Sequence, residues 1–265
     1  MSDLFSADSP IIYKPASVAR IAINRAAKKN AITLDMWDLI TRAIRAAEDD
    51  DDVHMLMIES AVSGVFSGGA DLDEFREVAK TPGLQEQHFD AMRHTISALE
   101  GMSKPTLCVI NGGCFGGGMM LALGCDLVLA SEWAKFAITP AKLGLVYPLA
   151  ATRRLTERVG SSNALMLLYT ADAVNAARAY EMGLVNEVVD GDDIDERVDA
   201  LTQTIASLSP YSQRAAKRLV NMALDGKDDD CDEARHLFMD AYEGDDFKEG
   251  SDAFFARRPP DFSKK

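Results

Sequence analysis

Twice along this chain a short apolar run ends in a cluster of glycines and then resumes as a helical pattern. The first cluster is Gly64-Val65-Phe66-Ser67-Gly68-Gly69-Ala70-Asp71-Leu72, and the second is Asn111-Gly112-Gly113-Cys114-Phe115-Gly116-Gly117-Gly118. Glycine at such a turn lets the backbone approach a ligand closely and leaves N–H groups free to point at it. A helix start adds unpaired donors and the positive end of a dipole. Two turns on neighbouring strands can therefore aim one N–H each at a single oxygen, forming an oxyanion hole. Taken singly, each reads more simply as a tight strand-to-helix turn. No Gly-Lys-Ser/Thr follows either cluster, as a Walker A loop requires. Neither cluster completes the glycine spacing of a dinucleotide-binding turn. Phosphate cradling is thus the weaker use of both.

The flanking segments set the fold class. Residues 18–24 read as a strand, and Thr33 is a plausible N-cap for a helix whose apolar positions are Met36, Leu39, Ile40, Ala43, Ile44 and Ala47. Residues 53–59 form a strand of nearly continuous apolar content, suited to burial on both faces. The segment 63–69 reads as a turn, with a helix from Asp71 and another over 84–99. A strand at 106–111 leads through the second glycine loop to a short helix at 117–123 and a strand at 126–130. This alternation predicts an α/β core with right-handed crossovers. After Ser161 the period turns helical over 162–169, 175–182, 193–208, 209–224 and 231–242, with one short strand at 185–189. A core over residues 1–200 and a C-terminal helical segment over 201–265 are expected. Pro259-Pro260 stops the last helix, and 225–232 is a hydrophilic acidic loop.

Composition excludes several function classes. The 265 residues carry a formal net charge of −14, which repels nucleic acid and anionic membrane alike. The richest apolar run, 119–130, is interrupted by Gly124 and Asp126, so no membrane span is predicted. The first six residues contain no positive region followed by an apolar stretch, so no signal peptide is read and a cytoplasmic protein is expected. Cys108, Cys114, Cys125 and Cys231 have no metal-like spacing and read as reduced cysteines.

The two loops, in this order and at this distance, resemble those of the crotonase (enoyl-CoA hydratase/isomerase) superfamily. The similarity continues through Ile21 to Arg25, Asn30-Ala31, Lys104-Pro105, Ala122 to Asp126, Lys142-Leu143-Gly144, Arg154-Leu155 and 179–189. It implies a β-β-α spiral core with a C-terminal helical trimerisation region, and a homotrimer or dimer of trimers. It also implies an acyl-coenzyme A substrate, with no cofactor or metal beyond the coenzyme A that the substrate carries. The oxyanion donors would be the N–H groups of Ala70 and Gly117. Coenzyme A contacts would fall on Arg25, Lys28, Lys29 and Ala31, and on Gly68, Ala70, Asp71 and Leu72. Contacts made by the three basic residues of that first loop would weaken with salt.

The departures from the family pattern narrow the chemistry. Its hydratases carry two glutamates, at positions held here by Met120 and Ala141, and neither replacement exchanges a proton. The run from Ile138 to Leu149 is instead similar to methylmalonyl-CoA decarboxylases of the superfamily, which have a Thr-Pro pair and a following tyrosine. That resemblance implies Thr139 and Tyr147 as contacts of a departing carboxylate, and decarboxylation of a short malonyl-type thioester. Those decarboxylases carry a histidine where this chain has Ala70. Of the histidines here, His88 and His94 lie on the helix that covers the acyl pocket in relatives. His54 and His236 read as structural or surface residues, and Asp73, Glu74 and Glu77 as solvated first-turn residues. Two alternatives stand beside this reading. One keeps hydratase or isomerase chemistry with an acid or base drawn from His88, His94 or Tyr147. The other is a non-catalytic acyl-CoA-binding scaffold.

Overall fold

The computed structural model describes residues 7–228 and 231–262. The reading of the extreme N-terminus and the middle of the acidic 225–232 loop lie outside the described residues. The strands are β1 (Ile11–Lys14), β2 (Val18–Ile23), β3 (Met55–Ser60), β4 (Gly64–Ser67), β5 (Thr106–Ile110), β6 (Gly112–Phe115), β7 (Leu127–Ser131), β8 (Lys135–Ala137), β9 (Val174–Asn175) and β10 (Glu187–Val189). The helices are α1 (Leu34–Asp49), α2 (Leu72–Lys80), α3 (Leu84–Gly101), α4 (Gly117–Gly124), α5 (Leu149–Thr170), α6 (Ala176–Glu181), α7 (Ile194–Ala206), α8 (Pro210–Leu224), α9 (Asp232–Glu243) and α10 (Asp245–Ala256). The chain divides into two compact units, one built from residues 1–102 and 106–198, the other from 103–105 and 199–265.

The first unit holds both sheets. One has the order β1-β2-β3-β5-β7-β10 and the other β4-β6-β8-β9. In the larger sheet the pairings β2-β3, β3-β5, β5-β7 and β7-β10 are parallel, and β1 closes the edge antiparallel to β2. The chain reaches this arrangement by repetition. β3, β5 and β7 each enter the larger sheet, and each is followed by a short strand, β4, β6 or β8, in the smaller one. Strand β5 is buried along its whole length, as a parallel strand covered on both faces must be. Asp126 and Thr106 lock β5 to the start of β7. The carboxylate accepts from Thr106 N–H at 2.8 Å, and the threonine hydroxyl accepts from Asp126 N–H at 2.8 Å.

Helix α1 starts where Thr33 accepts from Met36 N–H at 3.3 Å, so the N-cap expected from the sequence is present. Its buried face is Met36, Trp37, Ile40, Thr41, Ala43, Ile44 and Ala47. Each large apolar side chain so buried contributes about 1.5–3 kcal/mol. Thr41 and Thr95 share a hydroxyl hydrogen bond of 2.7 Å that fastens α1 to α3.

Several sequence expectations need correction. The supposed turn at 63–69 contains β4, and the second glycine loop contains β6. Both strands are short and glycine-rich, and the pairing of Gly64 with Gly112 is what makes them strands. Gly112 has φ +133°, and a Cβ there would sit 2.2 Å from the Gly64 carbonyl carbon, so no other residue fits the approach. The segment read as a helix over 162–169 is the second half of α5, which is interrupted at Gly160. Strands β1, β8 and β9 and helix α10 were not expected. In the second unit, Asp246 accepts from the Ser209 hydroxyl at 2.6 Å and Tyr211 N–H at 3.1 Å, joining the starts of α8 and α10. The Tyr211 hydroxyl donates to the Leu237 carbonyl at 2.7 Å, joining α8 to α9.

Candidate active site

The first glycine loop is held in shape by Asn30. Its amide nitrogen donates to the Ile23 carbonyl (3.2 Å), the Ser60 hydroxyl (2.8 Å) and the Phe66 carbonyl (3.0 Å), and its side-chain oxygen accepts from Arg25 N–H (2.7 Å). The Ser67 hydroxyl adds a bond to the Asn30 carbonyl and accepts from Gly69 N–H. Beyond this support, Ala70 forms a parallel bridge with Ile32. Ile32 N–H donates to the Gly69 carbonyl and Asp71 N–H to the Ile32 carbonyl. A parallel ladder then turns the N–H of Ala70 itself to the opposite side of the strand, and it has no acceptor among the described residues.

The second loop ends at Gly116, whose φ of 48° and ψ of −105° demand glycine, and it caps α4 without any side chain. Gly117 is the first helical residue, so its N–H is one of the donors a helix leaves unpaired. The two loops touch. A Cβ on Gly69 would lie 3.3 Å from the Phe115 carbonyl oxygen, and one on Gly117 would lie 3.7 Å from the Gly69 carbonyl carbon, to which Ala70 nitrogen is bonded.

Both peptides face one cavity of 610 Å³, a size suited to a small-molecule ligand. Of the predicted site residues, Gly68, Ala70, Leu72, Gly117, Thr139 and Tyr147 line it. Arg25, Lys28, Lys29, Ala31 and Asp71 do not. Most of the remaining wall is apolar, with Trp37, Phe75, Phe89, Met92, Met120 and Leu149 among its residues. Among the described residues, no carboxylate or imidazole lines the cavity, and Lys142 is its one charged lining residue. Sequence periodicity missed Trp37 entirely. Its ring is buried, its Cζ2 lies 3.2 Å from where a Gly117 Cβ would be, and its indole N–H has no partner among the described residues.

Tyr147 is buried and its hydroxyl donates to the Gly116 carbonyl at 3.2 Å. Burial, reinforced by the nearby Cys114, pushes its phenol well above the ordinary 10, so it serves as a neutral donor and not as a base. The Thr139 hydroxyl oxygen is 3.5 Å from where a Cβ of Gly116 would stand. His88 lies outside the cavity, edge-on to Phe75, with its ring pKa lowered by burial. His94 is exposed and bonds Arg93. Asp73, Glu74 and Glu77 are taken up by Lys28, Leu34 N–H and Lys80.

The basic loop is less available than its sequence implies. Arg25 pairs with Asp71 at 2.6 Å and donates to the Ala31 carbonyl, and Lys28 pairs with Asp73 at 2.8 Å. Asp71 also caps α2 by accepting from Asp73 and Glu74 N–H. Lys29 forms no ion pair among the described residues. Its carbonyl accepts from Gly68 N–H at the cavity wall.

An α/β chain in which two glycine loops meet at the wall of one apolar cavity defines a class that comparison identifies. The family model described as enoyl-CoA hydratase/isomerase matches residues 13–265, and the chain belongs to that family. A crotonyl-CoA hydratase from Syntrophomonas wolfei is 33% identical over 260 residues, 96% of this chain and 98% of that protein. A family member of known structure from Hyphomonas neptunium is 35% identical, with a TM-score of 0.93 over 97% of this chain and 98% of that one. An enoyl-CoA hydratase from Bacillus anthracis superposes with a TM-score of 0.86 at 27% identity, over 97% of this chain and all of that one.

Proposed function

We propose that this protein binds an acyl-coenzyme A thioester with its carbonyl oxygen between the N–H groups of Ala70 and Gly117, and decarboxylates a malonyl-type acyl group. The observation that carries the reading is the composition of the cavity wall. It offers two unpaired main-chain donors, Thr139 and the neutral donor Tyr147, with no carboxylate or imidazole among the described residues that line it. Decarboxylation needs no base. The bond between the α carbon and the carboxyl group breaks, carbon dioxide leaves, and its electron pair passes into the thioester as an enolate. The two N–H groups stabilise the oxygen that gains charge, and solvent returns a proton to the α carbon. Each donor of this kind is worth roughly 2.7–4 kcal/mol in the transition state. Thr139 and Tyr147 would hold the carboxylate before it leaves, the tyrosine by exchanging its bond to the Gly116 carbonyl. A wall without fixed negative charge also avoids repelling an anionic substrate.

Purified protein incubated with methylmalonyl-CoA should release carbon dioxide and propionyl-CoA, and absence of both sinks the decarboxylation. The relative from Syntrophomonas wolfei, a crotonyl-CoA hydratase at 33% identity, favours hydration as the second reading. Turnover of crotonyl-CoA in place of methylmalonyl-CoA would support it, and binding of both thioesters without turnover would support a scaffold.

A further inference from the structure

The candidate site opens onto more apolar space than a short malonyl group can fill. Its 610 Å³ cavity adjoins a second of 410 Å³, and Phe89, Met92, Met120, Pro148 and Leu149 line both. Past these shared residues the second cavity is walled by Ile96 of α3 and by Ala150 and Ala151 of α5. We infer that the two cavities form a single channel for an uncharged alkyl tail, so that the substrate is a 2-alkylmalonyl thioester whose tail extends well beyond methyl. The inference rests on the acyl-CoA reading of the same site, and it revises the short acyl group expected from the sequence.

Three observations support it. Met120 is the residue of α4 at the junction, an unbranched and adaptable side chain that an alkyl tail can pass. A glutamate there, as the hydratase pattern would place, would put a charge across the passage. The hydroxyl groups are confined to the near end, since Thr139 and Tyr147 line the first cavity and not the second. The carboxylate and the tail thus have separate places. The far end carries Arg93 and Arg153, but both are already answered. Arg93 is bonded to Asp90 at 3.1 Å, and Arg153 to Glu100 at 3.0 Å and Glu157 at 2.9 Å. Neither is left to receive a second carboxylate at the end of the tail.

The test is calorimetric titration of the full-length protein with butanoyl-, hexanoyl-, octanoyl- and decanoyl-CoA, which bind without reacting. Each methylene moved from water into the channel should tighten binding about fourfold, hence about sixteenfold for each two-carbon step through octanoyl. Ala150→Phe and Ile96→Phe, which fill the second cavity from either wall, should abolish the gain beyond butanoyl. Equal affinity from butanoyl to decanoyl in the wild-type protein overturns the channel, whether or not the variants fold. Carbon dioxide release from methylmalonyl-CoA is read separately. Release with a flat series overturns the channel alone, whereas a rising series without release from either methylmalonyl-CoA or 2-hexylmalonyl-CoA overturns the decarboxylation alone.

Discussion

At the scale of single residues, the candidate site is made of main chain, and its weak points are glycines. Gly117 has no positive φ, so alanine is tolerated by its backbone, but the added Cβ would lie 3.2 Å from the Trp37 ring. Trp37 is packed against the core on one side, so the ring and the first turn of α4 must move apart, and the Gly117 N–H moves with that turn. Gly117→Ala should therefore cut turnover by roughly 10²–10³-fold, the loss typical of one oxyanion donor. The stability cost should stay near 1–3 kcal/mol, as for ordinary overpacking. Steady-state rates and urea unfolding would measure the two effects, and unchanged turnover would remove Gly117 from the chemistry. Asp71 supplies a pH-dependent counterpart. Its bond to Arg25, aided by two backbone N–H groups, holds its carboxyl below the ordinary 3.8. Because the folded value is the lower one, the stabilisation is fully present at higher pH and is lost as pH falls through the folded value. The stability gap between wild type and Asp71→Asn should be constant above roughly pH 5 and shrink once pH drops below 3.8. A gap that does not change with pH would mean the ion pair adds nothing beyond the cap.

At the scale of elements, α5 shows how one residue can divide a helix. Gly160 has φ 72° and ψ 163°, a conformation essentially closed to residues with a Cβ, and space around it is open. The obstacle to alanine is thus backbone strain alone, and Gly160→Ala should cost about 1–3 kcal/mol by urea unfolding. A variant as stable as the wild type would mean the two halves of α5 can join at no cost. This break also shows what sequence could reveal. The helix after Gly160 was legible from its period, and the cap Thr33 was legible as a short polar residue ahead of an apolar pattern. The apolar runs of β2, β3, β5 and β7 were legible because parallel strands buried on both faces leave continuous apolar sequence. Strands β4 and β6 were not. Glycine has little strand propensity, and these segments are extended because each lies against the other, Gly64 opposite Gly112. The glycine loops themselves were legible as a candidate site. The cavity wall was not, because Trp37, Phe89 and Leu149 come from three separate helices and look like any core residue in sequence. The pairing of Arg25 with Asp71 and of Lys28 with Asp73 joins residues more than forty positions apart, a distance that local pattern cannot cross.

At the scale of the whole molecule, two physical tendencies oppose each other. Phe238, Phe254 and Phe255 are 63%, 78% and 81% exposed, and large apolar side chains left at a surface favour association. The net charge of −14 disfavours it, since bringing like chains together multiplies their mutual repulsion. The family resemblance implies that association wins as a trimer, and the exposed phenylalanines of α9 and α10 are our proposed contact. Salt then becomes the deciding variable. Screening over a Debye length of about 8 Å at 0.15 M weakens the repulsion between chains but leaves apolar burial intact. Light scattering coupled to gel filtration should report about three times 28.8 kDa, or twice that for a dimer of trimers, at physiological salt. The mass should fall toward that of single chains as salt is removed. Phe254→Asp combined with Phe255→Asp should yield single chains at either salt concentration, because it adds charge where apolar contact is needed. A single-chain mass for the wild type at physiological salt would sink the trimer. A trimer that tightens as salt is withdrawn would instead show that its contacts are ion pairs, and that the exposed aromatic residues serve another purpose.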